Sequence, residues 1–321
     1  MKRRALLATV LATPALAQGQ APPGWPDRPI RFINPWTPGG PADLVARPLA
    51  QHLTETLGKP VVMENRAGAN GTIATALVAR AAPDGYTVLF GHAGPNTIGP
   101  VFQANVGFDP VKDFAPVTQL VSSPLVMVCR LGLAARNIAE FVALATSSAQ
   151  PLSYGSVGPA STTHLAGEML ARAIGTRMLH VPYTGAAAPI IDLLAERIDF
   201  AFFNAGAVVQ HIRAGRLRPL AVSTLKRNVA LPELPPLADT FPGYEVNSWY
   251  GILLPAGAPD WLVQRYYQEF GDALRTPEVT RLMNDNGLDV EATTPAAFTA
   301  RIAADIAKWR ELQRVTGIRV E

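Results

Sequence analysis

Short apolar runs rich in β-branched and aromatic residues alternate along this chain with longer segments of helical period. This alternation is the feature that most restricts the possible folds, because it is typical of α/β proteins built on parallel sheets. The first part of the chain has three predicted strands, at residues 30–33, 61–64 and 87–90, and two predicted helices, at residues 43–57 and 72–81. Pro48 lies inside the first helical pattern, where it is expected to kink the helix axis.

The same order recurs in the middle of the chain, which predicts a second sheet. Its predicted strands are residues 152–154, 179–181, 200–203 and 220–222, and its predicted helices are residues 162–174 and 189–195. Two extended apolar stretches, residues 117–129 and 249–254, connect the halves and are predicted to form the two crossovers of a hinge, near Ser122 to Pro124 and near Asn247 to Trp249.

Three predicted helices close the chain, at residues 259–274, 278–284 and 295–314, and are expected to return to the first half. The chain is therefore predicted to form two lobes. The first contains residues 25–121 plus 249–321, and the second contains residues 122–248.

The first residues of the chain have the form of an export signal. Lys2, Arg3 and Arg4 precede an apolar run that ends at Ala15-Leu16-Ala17, so cleavage after Ala17 is expected, with residues 1–17 as the signal peptide. An ordinary secretory signal and a twin-arginine signal explain the segment equally well. The run is too short to span a bilayer, so a periplasmic protein that is not embedded in a membrane is predicted.

The charge balance argues against nucleic-acid binding. The chain has 28 Lys and Arg against 25 Asp and Glu, and three of the basic residues lie in the predicted signal, so the mature net charge is about zero. A basic patch that could bind a phosphate backbone is therefore not expected. Cys129 is the only cysteine, which excludes an internal disulfide and predicts a buried side chain.

Glycine-rich loops follow the predicted strands, where α/β proteins bind their ligands. In the first lobe, the candidate ligand-binding residues are Trp36, Thr37, Gly39, Gly40, Asp43, Asn65, Ala67, Gly68, Ala69 and Asn96. The loops offer hydroxyls and backbone amides near helix N-termini, which suit an anion. An ordinary strand-to-helix turn with Asp43 as the helix cap explains the first loop equally well.

In the second lobe, a Gly and Ser loop opens the helix at residues 162–174. Ser156, Gly158, Ser161 and Thr162 could hold a carboxylate or phosphate at the helix N-terminus. The loop lacks the lysine of a phosphate-binding P-loop and the Gly-x-Ser-x-Gly spacing of a hydrolase, and no catalytic residue is assigned. His164 and Glu168 lie one helical turn apart, but two ligands do not make a zinc site, and neither a metal nor a cofactor is predicted.

Several segments together resemble the Bug family, the substrate-binding proteins of tripartite tricarboxylate transporters (TctC-like), over essentially the whole mature chain. The segments are residues 35–40 with Asp43, and residues 64–69, 83–87, 113–117, 154–156, 180–183 and 249–255. The resemblance implies a type II-like periplasmic binding protein with two lobes, a Venus flytrap. It also implies carboxylate binding between the lobes and two membrane partners, the large and small transporter subunits.

By position, the resemblance adds Tyr183 and Asn204 to the second-lobe candidates. Asn204 stands where the family frequently has Asp, and Ala67 stands where it usually has Pro. A neutral Asn204 favours a plain carboxylate, possibly aromatic, over an amino acid.

Two other functions stay open from the residues alone. One is a serine-dependent hydrolase that uses Ser156 with His164, and the other is a periplasmic sensor subunit that delivers the ligand-bound state to a signalling protein. The favoured hypothesis is a monomeric, non-enzymatic receptor for a small carboxylate.

Overall fold

The computed structural model describes residues 21–183 and 185–317. The predicted signal peptide, residues 1–17, lies outside the described residues. The first lobe begins with three parallel strands and the helices that connect them. The elements are β1 (Ile30–Asn34), α1 (Pro41–Leu57), β2 (Val61–Asn65), α2 (Thr72–Ala79), β3 (Thr87–His92) and the short helix α3 (Gly99–Phe102).

The second lobe repeats this construction after a long strand, β4 (Phe114–Cys129), that leads into it. Its elements are α4 (Ile138–Ser147), β5 (Ser153–Ser156), α5 (Thr162–Ile174), β6 (Leu179–Pro182), α6 (Ala187–Leu194), β7 (Phe200–Asn204), α7 (Ala205–Arg213) and β8 (Arg218–Val222).

The chain returns through β9 (Asn247–Pro255), which pairs antiparallel with β4 from Phe114 to Pro124. The last elements are α8 (Asp260–Arg275), α9 (Pro277–Asp285), β10 (Asp289–Val290) and α10 (Pro295–Thr316). Pro48 lies inside α1, which continues as one helix from Pro41 to Leu57.

One continuous sheet runs through both lobes in the order β2-β1-β3-β9-β4-β7-β5-β6. β4 is shared, because its first part pairs with β9 and its last part pairs with β7 and β8. The parallel strands lie in two groups, β2-β1-β3 in the first lobe and β6-β5-β7 in the second. The two lobes are therefore joined at β4 and β9, the stretches that the sequence predicts as crossovers.

Helices cover both faces of each half of the sheet and bury apolar clusters there. In the first lobe, α1 and α8 pack on one face around Phe32 and Phe90, and α2 and α10 pack on the other around Trp249. Trp249 is fully buried and donates from Nε1 to Asp305. Its indole therefore lies in the first-lobe core.

α10 differs from its predicted place in the first lobe. Phe298, Ile302 and Ile306 in its first half pack in the first-lobe core, whereas Trp309 and Leu312 pack among residues of the second lobe, including Leu125 and Met127. Its apolar side chains are buried over both halves, so this helix connects the cores of both lobes, a role that periodicity alone could not reveal.

No helix in the described part of the chain is long and apolar enough to cross a membrane.

Candidate functional site

The strand registers place the carboxyl ends of both parallel groups at one segment of β4. In the first lobe, the last residue of β3, His92, pairs with Tyr250 of β9, which pairs with Val121 of β4. In the second lobe, the last residue of β7, Asn204, pairs with Leu125 of β4. Four residues of strand span about 13 Å. The loops that follow the parallel strands therefore face each other across a narrow cleft, which is the usual ligand position in open α/β sheets.

Asp43 organises the first of these loops. Its carboxylate accepts hydrogen bonds from Gly39 N at 2.8 Å, Asn34 Nδ2 at 2.9 Å and Arg47 Nη2 at 2.7 Å. Asn65 Nδ2 donates to the same carboxylate at 3.3 Å and to Trp36 O at 2.8 Å. Burial by itself would raise the pKa of Asp43, but these donors outweigh it, and the pKa lies below its usual value. Asp43 and Asn65 therefore hold the shape of the loop.

Replacing Asp43 by alanine is expected to destabilise the protein by about 3 kcal/mol, because several buried donors would lose their acceptor. Chemical denaturation measures this free energy of unfolding. The matched control is Asp272→Ala, which removes an exposed carboxylate paired with Arg275 at 2.7 Å. Equal losses in the two variants would contradict the structural role of Asp43.

The second loop presents unpaired backbone amides. Gly68, Ala69, Asn70 and Gly71 have φ of 141°, 44°, 52° and 87°, a run of positive values that turns successive N–H groups towards one side. Within residues 21–183 and 185–317, the amides of residues 67–70 donate no hydrogen bond. Residues 67–69 are exposed, and we call this segment, residues 67–70, the amide cradle.

Trp36, His92 and Asn96 form a wall behind the first-lobe loops. Trp36 and His92 pack edge to face with ring centroids 5.3 Å apart, and His92 N donates to Asn96 Oδ1 at 3.1 Å. Asn96 is 1% exposed, so it supports the strand end from within. Thr37, Gly39 and Gly40 lie at the surface of the loop, where a ligand can reach them.

The second-lobe loop is held mainly by its own polar groups. Ser161 caps α5, since its Oγ accepts from His164 N at 3.2 Å and donates to Gly158 O at 2.7 Å. Ser156 Oγ accepts from Gly158 N at 3.1 Å and shares a hydrogen bond of 2.7 Å with His180 Nε2. Thr162 begins the helix, and its hydroxyl has no hydrogen-bond partner among the described residues.

The predicted pairing of Ser156 with His164 is wrong. His164 Nδ1 accepts from Ala160 N at 3.0 Å, and the ring that meets Ser156 belongs to His180. The two imidazoles stack with centroids 4.0 Å apart, and His180 also stacks on Tyr154. Both imidazoles position the loop. The carboxylate of Asp192 accepts a hydrogen bond from the Tyr183 hydroxyl. His164 Nε2 lies 3.8 Å from the carboxylate of Glu168.

Burial lowers the pKa of three histidines: His92 to about 3, and His164 and His180 to about 4. In the unfolded chain their pKa is about 6.5, so the unfolded state binds protons first as the pH falls. The stability from keeping these rings neutral is complete above pH 6.5 and is lost between pH 6.5 and about 4. Hydrogen-bonded Glu64, with its pKa lowered to about 2, loses its contribution only at lower pH.

The melting temperature is therefore expected to fall steadily as the pH is lowered from 6.5 to 4.5. Thermal unfolding followed by circular dichroism in buffers of equal ionic strength measures this change. A melting temperature that stays constant over this interval would contradict the burial of neutral histidines.

Tyr183 and Asn204 lie on the second-lobe side. The Tyr183 hydroxyl donates to Asp192 at 2.7 Å, and its pKa is raised to about 12 by burial and by that carboxylate. Asn204 Nδ2 donates to Ser123 Oγ at 2.7 Å, which ties the end of β7 to the hinge segment of β4. Asn204 therefore stands where the two lobes meet.

A cavity of about 550 Å³ opens between the lobes at this point, and we call it the cleft cavity. Gly39, Gly40 and Asp43 line it from the first lobe, Ser123 from β4, and Asn204 from the second. Arg47 lines it as well, although the sequence analysis passed over this residue. The other candidates do not line this cavity: in the first lobe Trp36, Thr37, Asn65, Ala67, Gly68, Ala69 and Asn96, and in the second lobe Ser156, Gly158, Ser161, Thr162 and Tyr183.

Within residues 21–183 and 185–317, no group of three His, Cys, Asp or Glu side chains is arranged to hold a metal ion. The cleft offers backbone amides, hydroxyls and the guanidinium of Arg47, which also pairs with Asp43 at 2.7 Å, and such donors suit an anionic organic ligand.

Comparison with known proteins gives a consistent result. Residues 45–318 match the model of the tripartite tricarboxylate transporter family receptor. The chain is 32% identical to the UPF0065 protein in the tcbD-tcbE intergenic region of Pseudomonas sp. strain P51 over 97% of this chain and 93% of that protein.

Solved structures agree with this match. The structure of the periplasmic binding protein BugD is 34% identical, with a TM-score of 0.80 over 92% of this chain and all of that one. The structure of R. palustris Rpa4515 with adipate is 31% identical, with a TM-score of 0.83 over 92% of this chain and 99% of that one.

Proposed function

The chain belongs to the tripartite tricarboxylate transporter receptor family, whose members are receptors and not enzymes. From that premise we propose that it captures a small carboxylate in the periplasm. The amide cradle and the loop at the start of α5 bind the ligand between them, and the closed receptor delivers it to the large and small membrane subunits of a transporter.

The single observation that carries this proposal is the amide cradle. Four consecutive backbone amides without partners among the described residues follow the carboxyl end of β2, and residues 67–69 of this segment are exposed. Backbone amides in such a turn bind a carboxylate well, because they donate several hydrogen bonds without bringing a charge of their own. The adipate in the structure of Rpa4515 is a carboxylate of the same chemical class.

Asn204 supports a narrower choice of ligand. Its Nδ2 faces Ser123, and its amide is neutral, so no carboxylate there would pair with an ammonium group. An α-amino acid would bring an ammonium ion into the cleft without a counter-charge at this position, and its desolvation would be uncompensated. We therefore propose a plain mono- or dicarboxylate, aliphatic or aromatic, as the ligand in preference to an amino acid.

Closure of the lobes accompanies binding. In this proposal the hinge lies in β4 near Ser122 to Pro124 and in β9 near Asn247 to Trp249, two segments that pair with each other. A ligand that contacts both lobes favours the closed state through those additional contacts.

The test is a thermal-shift screen of the protein starting at Gln18 against mono-, di- and tricarboxylates, aromatic acids and amino acids, followed by titration calorimetry. A ligand at 100 times its dissociation constant stabilises the fold by about 2.7 kcal/mol, which raises the melting temperature measurably. An amino acid that competes with the carboxylate for the same site and binds there much more tightly than its deaminated analogue would overturn the assignment of Asn204. Folded, ligand-free protein that responds to no acid would overturn the receptor proposal itself.

A further inference from the structure

A second cavity lies behind the hinge, on the opposite face of β4. Ser123 lines the cleft cavity, whereas the preceding residue, Ser122, lines this second cavity of about 530 Å³. Consecutive side chains of a strand point to opposite faces of the sheet. The two cavities are therefore back to back, with β4 between them, and we call the second one the rear cavity.

Both lobes form the rear cavity. Asp289, Glu291 and Arg301 line it from the first lobe, and the segment 224–229 lines it from the second. Its volume must therefore change when the lobes rotate about β4. A rotation that brings the walls of the cleft cavity together separates the walls of the rear cavity, because the axis passes between them.

The polar groups of the rear cavity are incompletely paired. Asn247, which is 7% exposed, lines it, and its Oδ1 accepts no hydrogen bond from any described residue. The buried Nη2 of Arg301 likewise has no acceptor within the described residues. A buried acceptor and a buried donor without partners are costly in a folded protein, so a ligand that supplies both a donor and an acceptor would be stabilised there.

The charges of the rear cavity are balanced between the two signs. Its acidic residues are Glu245, Asp289 and Glu291, and its basic residues are Lys226, Arg227 and Arg301. Burial raises the pKa of Asp289, hydrogen bonds from Val229 N and Asn228 offset part of this rise, and the neighbouring charge of Glu291 adds to it, so an ammonium group beside the two acids would be favourable. These acids do not form a group that could hold a metal ion within the part of the chain described.

We propose that the rear cavity is a second ligand site, for a small zwitterion such as a free amino acid, and that its occupancy opposes closure of the cleft. The ammonium group binds near Asn247, Asp289 and Glu291, and the carboxylate binds between Arg301 of the first lobe and Lys226 of the second. A ligand that bridges the rear walls holds them together and so keeps the cleft open. The coupling to carboxylate affinity rests on the function proposed above, whereas binding in the rear cavity does not.

The first experiment screens the twenty amino acids by thermal shift and calorimetry, alone and with the carboxylate that the receptor binds. At least one amino acid is expected to bind and to weaken carboxylate binding about tenfold. Asn247→Leu, which removes the unpaired acceptor while keeping the side-chain size, is expected to abolish the amino-acid response. A response that survives Asn247→Leu but disappears in Gly68→Val would place the amino acid in the cleft and overturn the proposal.

The second experiment places a large side chain in the rear cavity and requires no amino acid. Ala297 of α10 lines the rear cavity, and tryptophan there is expected to push the rear walls apart, favour closure and tighten carboxylate binding several-fold. The control is Ala303→Trp, an exposed position on the same helix outside the cavity. Unchanged carboxylate affinity in folded Ala297→Trp would overturn the coupling, and the absence of any amino-acid response would overturn the second site.

Discussion

Replacing Gly68 by valine is expected to weaken carboxylate binding at least 100-fold while leaving the protein folded. Gly68 has φ 141° and ψ 153°, a conformation that is open essentially to glycine alone. A Cβ there would also lie 2.7 Å from Ile73 Cδ1. Valine therefore forces the backbone to rotate and turns the amide cradle away from the ligand. A 100-fold loss corresponds to about 2.7 kcal/mol, the value of one or two charge-assisted hydrogen bonds.

Calorimetric titration with the carboxylate found by the screen measures this loss, and circular dichroism verifies the fold. The control is Gly215→Val, because Gly215 also has a positive φ, of 64°, and its Cβ would meet no atom within 4 Å. It lies in the turn before β8, away from the cleft. Binding that weakens equally in both variants would mean that general strain, and not loss of the cradle, causes the effect.

Replacing Asn204 by aspartate is expected to weaken carboxylate binding on the order of 100-fold and to strengthen the binding of the corresponding amino acid. The side chain stands in the cleft cavity beside Ser123, so a carboxylate there would repel an anionic ligand in a half-buried site. Two like charges about 4 Å apart at an effective dielectric constant of 20 repel by about 4 kcal/mol before relaxation. An ammonium group on the ligand would instead pair with the new charge.

The comparison needs pairs of ligands that differ only in the amino group, titrated into both proteins at constant ionic strength. Asn137→Asp is the matched control, because it adds the same charge at the exposed cap of α4, far from the hinge in the second lobe. If the acid and the amino acid lose the same affinity, the substitution has damaged the hinge contact with Ser123 and has not changed the charge preference of the site.

Periodicity predicts most of the fold correctly. The predicted helix at residues 162–174 coincides with α5, and both crossovers are extended as expected. The sequence analysis missed α4, α7 and the helical turns after β3; α7 and those turns begin within two residues of the preceding strand, which hides the change of period. The family and its fold, inferred from the resemblance, are confirmed by the match of residues 45–318 and by the solved structures.

The site is less predictable because its contacts depend on strand register. Asn34 looks like the last residue of a strand, and only folding brings its amide to Asp43. His180 meets Ser156 because β5 and β6 lie side by side, with Ser156 opposite Pro182. Pairing across a parallel sheet joins residues that are 24 positions apart here, and no local pattern marks them. The glycine-rich loops, by contrast, can be recognised directly from the sequence.

The last helix changes how the two lobes should be regarded as folding units. α10 has 22 residues, about 33 Å of helix, and it fills apolar space in both cores. A second lobe expressed by itself, as residues 122–248, would lack Trp309 and Leu312 and would expose the surfaces they cover. Each core is therefore complete only when the end of the chain is in place, and the two lobes are expected to unfold together as one cooperative unit.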